Sequence, residues 1–305
     1  MKTQNRALAG RAALVTTALL WGTSFVILKT TLESVGTLWI LAIRFTLATQ
    51  LLGLFAAKRL KGLSPRVLRG GFLMGLSLAA AYIVQTYGLF YTTPGKNAFL
   101  TAVYCVLVPF LAWGIYRRKP KAQHVLAAFL CLAGIGFVSL SGSESPFNRG
   151  DALTLLCGVF YALQIIVVEQ YGGEDGDALC LSAVQFAVAA LVCWAGALLF
   201  EPVPSDVPSG AWLSIAYMGF VCTGLCFFLG AWGMKRTPSS TAAGIMTLES
   251  VFGTLTSILF YHERVTAKLL TGFALIFVSV LLSETGLGLI KKESQVKLLL
   301  SLLFF

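Results

Sequence analysis

A charge inside an apolar stretch is the first place to look for chemistry, because burying it is costly and it persists only for a reason. Arg44, Glu249 and, nearer the end of its stretch, Lys29 qualify. A guanidinium offers a planar fork that matches a carboxylate. Arg44 can therefore bind a substrate carboxylate, pair with an acid during gating, or tie helix ends and backbone carbonyls within one half of the chain. Glu249 can carry a proton or balance a substrate amine. It can equally act structurally, paired with Arg44 or accepting from nearby backbone. Lys29 is expected to snorkel its ammonium to lipid headgroups. Glu169 and Glu284 end apolar stretches and are expected to reach water.

Uncharged polar residues fall at helical spacings. Asn97, Thr101 and Tyr104 form one stripe at i, i+4, i+7. Tyr82 with Gln85, Tyr161 with Gln164, and Trp21 with Ser24 are each three apart. Small-molecule sites are mostly apolar with a few placed polar groups. These nine residues and Glu249 are the candidate substrate-binding set, with Arg44 as a gating or structural charge. The same side chains also suit hydrogen bonding between helices.

Other chemistries find less support. His124 and His262 fall at opposite helix ends, and neither an H-E-x-x-H motif nor paired intramembrane carboxylates occur. No catalytic residue is assigned, and the chain is not read as an enzyme. The seven cysteines contain no C-x-x-C. Cys222 and Cys226 share a helix face without a histidine or carboxylate beside them. The cysteines are read as small hydrophobes, with no metal and no cofactor. No G-x-x-x-x-G-K-[ST] motif is present, so energy is expected from an ion gradient or from exchange.

The elements that must position these residues are membrane spans. The 305 residues are 57% hydrophobic and 12% charged, against about 25% charged in soluble domains. A span needs roughly 20 mostly apolar residues. Candidates run at 12–31, 36–57, 69–91, 95–116, 122–140, 151–170, 178–200, 211–234, 239–260 and 266–284. Short turns such as Ser141-Gly142-Ser143 and Pro202-Val203-Pro204-Ser205 join them. The first span follows Lys2, Arg6 and Arg11 and lacks a small-residue cleavage site, so it is read as an uncleaved helix. Gly70-Gly71…Gly75 and Gly244…Gly253 are expected to let helices approach closely.

Net charge is +10, but the basic residues sit in short clusters between spans, so nucleic acid is not an expected partner. With the N-terminus inside, inner segments hold seventeen Lys and Arg and outer loops four: Lys96, Arg149, Arg264 and Lys268. That bias places both termini in the cytoplasm, despite an acidic inner loop from Gly172 to Asp177. The apolar tail beyond Lys292 is too short to span.

The chain also repeats. Ala13-Leu14 resembles Ala152-Leu153, Arg44-Phe45 parallels Gln185-Phe186, and Thr93-Pro94 parallels Thr237-Pro238. Each half holds five spans. Five is odd, so the second half enters from the opposite face, which makes an inverted repeat. The fold class expected is an all-α integral membrane protein of ten transmembrane helices, with repeats at 1–143 and 144–286 and a cytoplasmic tail at 287–305.

Trp21-Gly22-Thr23-Ser24-Phe25, Arg44-Phe45, the stretch Thr93 to Thr101 with Tyr104 and Pro109, and Leu248-Glu249-Ser250-Val251-Phe252 with Glu263-Arg264 together resemble the EamA family of the drug/metabolite transporter superfamily. The resemblance covers about residues 12 to 286. It implies a central cavity lined by helices 1, 3, 4, 6, 8 and 9, and export of amino acids or other small metabolites by alternating access. It implies a bacterial inner membrane as the location, and a small-molecule substrate and the lipid bilayer as partners. The oligomeric state stays open. Ser250 and His262 stand where the family has Pro and Gly, which leads one to expect a straighter ninth helix. A membrane-embedded enzyme, a lipid scramblase and a non-transporting receptor are the rival readings.

Overall fold

The computed structural model describes residues 2–60, 62–117, 119–139, 147–172, 178–264 and 266–285. The turn at 141–143, most of the acidic loop and the C-terminal tail lie outside them. The regular elements are helices: α1 (Lys2–Thr31), α2 (Thr37–Leu60), α3 (Pro65–Tyr91), α4 (Pro94–Thr101 and Tyr104–Tyr116), α5 (Ala122–Ser139), α6 (Arg149–Tyr171), α7 (Ala178–Phe200), α8 (Ser209–Met234), α9 (Ser239–Met246 and Leu248–Phe260) and α10 (Ala267–Thr285). Among the described residues nine helices are long and apolar enough to cross a bilayer, and Ala122–Val138 is a shorter apolar helix. The first helix begins well before position 12, since no proline interrupts the residues ahead of it.

Local chemistry sets the helix starts. Pro65 and Pro94 occupy the first turn, where a missing N–H costs nothing. The residue before each caps it: Ser64 Oγ accepts from Val67 N at 3.3 Å and Thr93 Oγ1 from Lys96 N at 3.4 Å. α6 opens on a reciprocal capping box between Asn148 and Asp151.

The packing follows the repeat. α3 lies on α6 as α8 lies on α1, and α1 lies on α9 as α6 lies on α4. α2 pairs with α7, α4 with α9 and α5 with α10, each helix with its own counterpart. Exchanging the halves leaves this pattern unchanged, as a pseudo-two-fold demands. The start of α2 meets the end of α7 through Leu38 and Glu201, so these counterparts run antiparallel and the repeat is inverted. Close approach needs small residues. A Cβ on Gly88 of α3 would stand 2.7 Å from Thr154 Oγ1 and 3.0 Å from the Gly150 carbonyl of α6. Gly71 and Gly75 likewise seat α3 against Val184 and Val188 of α7.

The two ends of the bundle differ. One, the acidic end, gathers Asp151, Glu201 and Glu263. The other, the basic end, carries Lys58, Arg59, Arg117, Lys235 and Arg236 near the ends of α2, α4 and α8.

Candidate functional site

Two helices are broken, at matched places. α4 is interrupted at Ala102–Val103 and α9 at Thr247. Val103 and Thr247 are 144 positions apart, the same offset as the Thr-Pro pairs that precede the two helices. At the ninth helix the interruption is a single residue, and Thr247 keeps helical dihedrals, φ −64° and ψ −18°, with its N–H on the Ala243 carbonyl at 3.1 Å. Hydroxyls bond back to the main chain there: Thr247 Oγ1 donates to the Gly244 carbonyl at 2.8 Å and Ser250 Oγ to the Thr247 carbonyl at 2.9 Å. Such bonds compete with the main-chain ladder. In α4 the break is tightened by i→i+3 bonds, Cys105 N to Ala102 O at 3.1 Å and Val106 N to Val103 O at 3.0 Å. One turn on, Pro109 has no N–H for the Cys105 carbonyl. Ser283 Oγ of α10 donates to that carbonyl instead, at 3.0 Å.

A cavity of about 230 Å³ lies between the breaks. α4 lines it with Thr101, Tyr104 and Cys105, α9 with Met246, Glu249 and Ser250, α6 with Ile165, and α10 with Val280 and Glu284. Its lining runs from the breaks toward the basic end, where Glu284 is exposed. The expected lining of helices 1, 3, 4, 6, 8 and 9 is thus only partly what this cavity has: α10 contributes, while α1, α3 and α8 do not.

Aromatic rings fill the space on their side. They form a chain from Trp21 through Phe227, Phe186, Phe45, Tyr82 and Tyr161 to Tyr104, with centroids 4.7 to 5.9 Å apart. The chain draws one ring from each of seven helices.

Of the predicted residues, Thr101, Tyr104 and Glu249 line the cavity. Glu249 is half-buried and neither hydrogen-bonds nor forms an ion pair among the described residues. Behind them Tyr161 Oη donates to Gln85 Oε1 at 2.9 Å, and Gln85 Nε2 donates to Thr101 Oγ1 at 2.9 Å. Gln85 thereby joins α3, α4 and α6. Asn97 is fully buried and bonds Thr154 Oγ1 at 2.7 Å and the Gln85 carbonyl at 3.3 Å. Gln164 bonds Gln185 at 3.4 Å, Ser24 bonds the Trp21 carbonyl at 2.6 Å, and Trp21 Nε1 bonds the Cys222 carbonyl at 2.6 Å. Tyr82 packs edge-to-face between Phe45 and Tyr161.

Arg44, 2% exposed, departs from the within-repeat tie considered for it. Its Nε donates to Thr223 Oγ1 of α8, 2.7 Å away in the other repeat, and its guanidinium lies 4.9 Å from the Tyr82 ring centroid. Thr223 falls in a π-helical stretch, Met218–Leu225, and donates in turn to the Met218 carbonyl at 2.8 Å. The Arg44–Glu249 pairing is not formed among the described residues. Lys29, half-buried near the end of α1, caps a neighbouring helix. Its ammonium donates to the carbonyls of Leu89, Phe90 and Thr92 at 2.8, 2.9 and 3.0 Å. Those carbonyls end α3 without helical partners and favour a cation.

Sequence reasoning missed the seal at the acidic end. Lys96, expected in an outer loop, is fully buried and pairs with Asp151 at 2.9 Å, and Thr92 also donates to Asp151. Glu201 caps α2, accepting from Leu38 N at 3.0 Å and Trp39 N at 3.3 Å, and takes the Tyr87 hydroxyl at 2.9 Å. Glu263 caps α4 through Gly95 N at 3.0 Å and accepts from Thr93 and Ser257. Each of these carboxylates joins one repeat to the other. An acid just beyond a span, placed to meet a helix start, was the available signal.

Known proteins agree with this architecture. The profile of the EamA-like transporter family matches residues 8–140 and again 148–285. An uncharacterized transporter of Archaeoglobus fulgidus is 31% identical over 268 residues, covering 87% of this chain and 82% of its own. The uncharacterized transporter YoaV of Bacillus subtilis is 19% identical over 88% of this chain and 94% of its own. A solved crystal structure shares the fold, with a TM-score of 0.64 and 20% identity over 92% of this chain and 97% of that one.

Proposed function

The chain belongs to the EamA-like transporter family, and on that premise we propose that it is a secondary transporter moving a small metabolite by alternating access. The observation that carries this reading is the cavity at the matched helix breaks. Interruptions at matched places of an inverted repeat, with a cavity between them, are a common plan for a transporter's binding site near the midplane. At about 230 Å³ the space is smaller than the ~300–1,000 Å³ of drug-sized pockets, which suits a metabolite of amino-acid size. The cavity reaches toward the basic end, and the acidic end is held by three carboxylates that cross between repeats. That asymmetry supports a state open on one side only. With the basic end cytoplasmic, the protein is an exporter of the inner membrane, loaded from inside, with both termini inside.

Transition to the opposite state requires the acidic-end contacts to part while the basic end closes. Glu263 and Glu201 each join helices of different repeats by hydrogen bonds, which can break and re-form with water. The test is reconstitution into liposomes with radiolabelled amino acids and amines. Saturable flux that needs the protein is expected. Folded protein that passes no solute of any charge would sink the transporter reading.

A further inference from the structure

We propose that the cavity at the helix breaks takes a small organic cation, an amine without a free carboxylate, held by Glu249 and by Glu284. This rests on the transporter reading and names the substrate class for the same site. The first observation is the lining itself. Two carboxylates face the space, and none of the lining residues is Lys, Arg or His. Glu249 neither hydrogen-bonds nor pairs with a cation among the described residues. A lone carboxylate at such depth is relieved by a proton or by a cation, and an amine entering the cavity supplies the cation.

The second observation is where Glu284 stands. It is the last but one residue of α10. A helix C-terminus is the negative end of its dipole and disfavours an acid. Glu284 nonetheless faces the mouth of the cavity, beside Cys105. A solute entering from the basic end meets Glu284 first and Glu249 at the breaks. The third observation is Tyr104 on the wall, an aromatic side chain of the kind that attracts ammonium groups. Arg44, the candidate for a substrate carboxylate, is instead bonded to Thr223 and stacked on Tyr82, outside the lining. A carboxylate in the cavity would therefore lie beside two acids with no cation to meet it.

The experiment is a binding measurement on purified full-length protein, by thermal shift and calorimetry, with probes of one carbon skeleton. Butylamine and 1,4-diaminobutane carry positive charge, 1,4-butanediol is neutral and succinate is anionic. The amines are expected to raise the melting temperature at millimolar concentration, and the diol and succinate to leave it unchanged. Glu249→Gln and Glu284→Gln are each expected to weaken amine binding by about tenfold or more, the effect of ~1.4 kcal/mol. Glu249→Asp and Glu284→Asp keep the charge and should recover part of the affinity if the Gln variants fold poorly. Equal stabilisation by diol or succinate overturns the proposal. So does failure of every amine to bind, or amine binding unchanged in both Gln variants. Transport of an anion or a zwitterion would defeat the cation inference and leave the transporter reading standing.

Discussion

Lys96 and Asp151 form an ion pair of 2.9 Å in which neither side chain has any exposed surface. They join the start of α4 to the start of α6, one from each repeat, and Thr92 donates to the same carboxylate. Breaking a buried pair by removing one partner costs about 3–5 kcal/mol, whereas removing both can cost far less. Lys96→Met and Asp151→Asn are each expected to lower the melting temperature of the detergent-solubilised protein. The double variant should be more stable than either single one. If the two effects simply add, the pair is not coupled.

Ser283 offers a second coupled test. Its hydroxyl takes the Cys105 carbonyl that Pro109 leaves without a helical donor. Ser283→Ala should destabilise by about 1–3 kcal/mol, the range for an orphaned buried acceptor. In a Pro109→Ala background the new N–H can reach that carbonyl, so the same Ser283→Ala change should cost less. Thermal unfolding of the four proteins decides it.

Arg44 and Thr223 link α2 to the π segment of α8. Lysine cannot reproduce a planar fork that bonds through Nε and stacks on Tyr82. Arg44→Lys is expected to reduce stability and transport together, and Thr223→Val to do the same more mildly. A double-mutant cycle should show a coupling of about 0.5–3 kcal/mol. Normal stability with a changed substrate profile would instead assign Arg44 to the substrate.

Glu249→Gln keeps the shape and removes the charge. If Glu249 also carries the coupling proton, this variant should still exchange substrate across liposomes at concentrations raised to offset its weaker binding, but lose accumulation driven by an imposed pH gradient. Wild-type accumulation would show that the proton travels elsewhere.

Orientation is checked by single cysteines in a cysteine-free background. Ser205→Cys lies at the acidic end and Ser64→Cys at the basic end, both exposed. An impermeant thiol reagent added to intact cells should label Ser205→Cys and spare Ser64→Cys.

The spans and the repeat were legible because hydropathy and Thr-Pro turns are local, periodic signals. Of the stripe Asn97, Thr101 and Tyr104, the last two line the cavity, while Asn97 is turned to Thr154 and Gln85. Lys96–Asp151 was not, since two residues 55 positions apart carry no mark of meeting, and Lys96 looks like a loop lysine. The contacts of Lys29 with the end of α3 were not legible, because a lysine near the end of a span carries no mark of which helix it caps. The break in α9 was hidden because hydroxyl back-bonding has no signature as plain as proline's. Glu284 is exposed, as expected of a residue that ends a span; its place on the cavity wall was hidden because it depends on how α10 leans on α4.

The seal at the acidic end also fixes where a membrane voltage acts. Water that fills the cavity brings the potential of the basic side up to the helix breaks. The electric field is then concentrated in the packed layer holding Lys96, Asp151 and Glu263. A cation leaving Glu249 for the far side would cross most of that drop in one step, at about 2.3 kcal/mol per charge for each 100 mV. Export of an uncompensated cation would thus draw current and slow sharply in an energised cell. Electroneutral exchange would be blind to the same voltage.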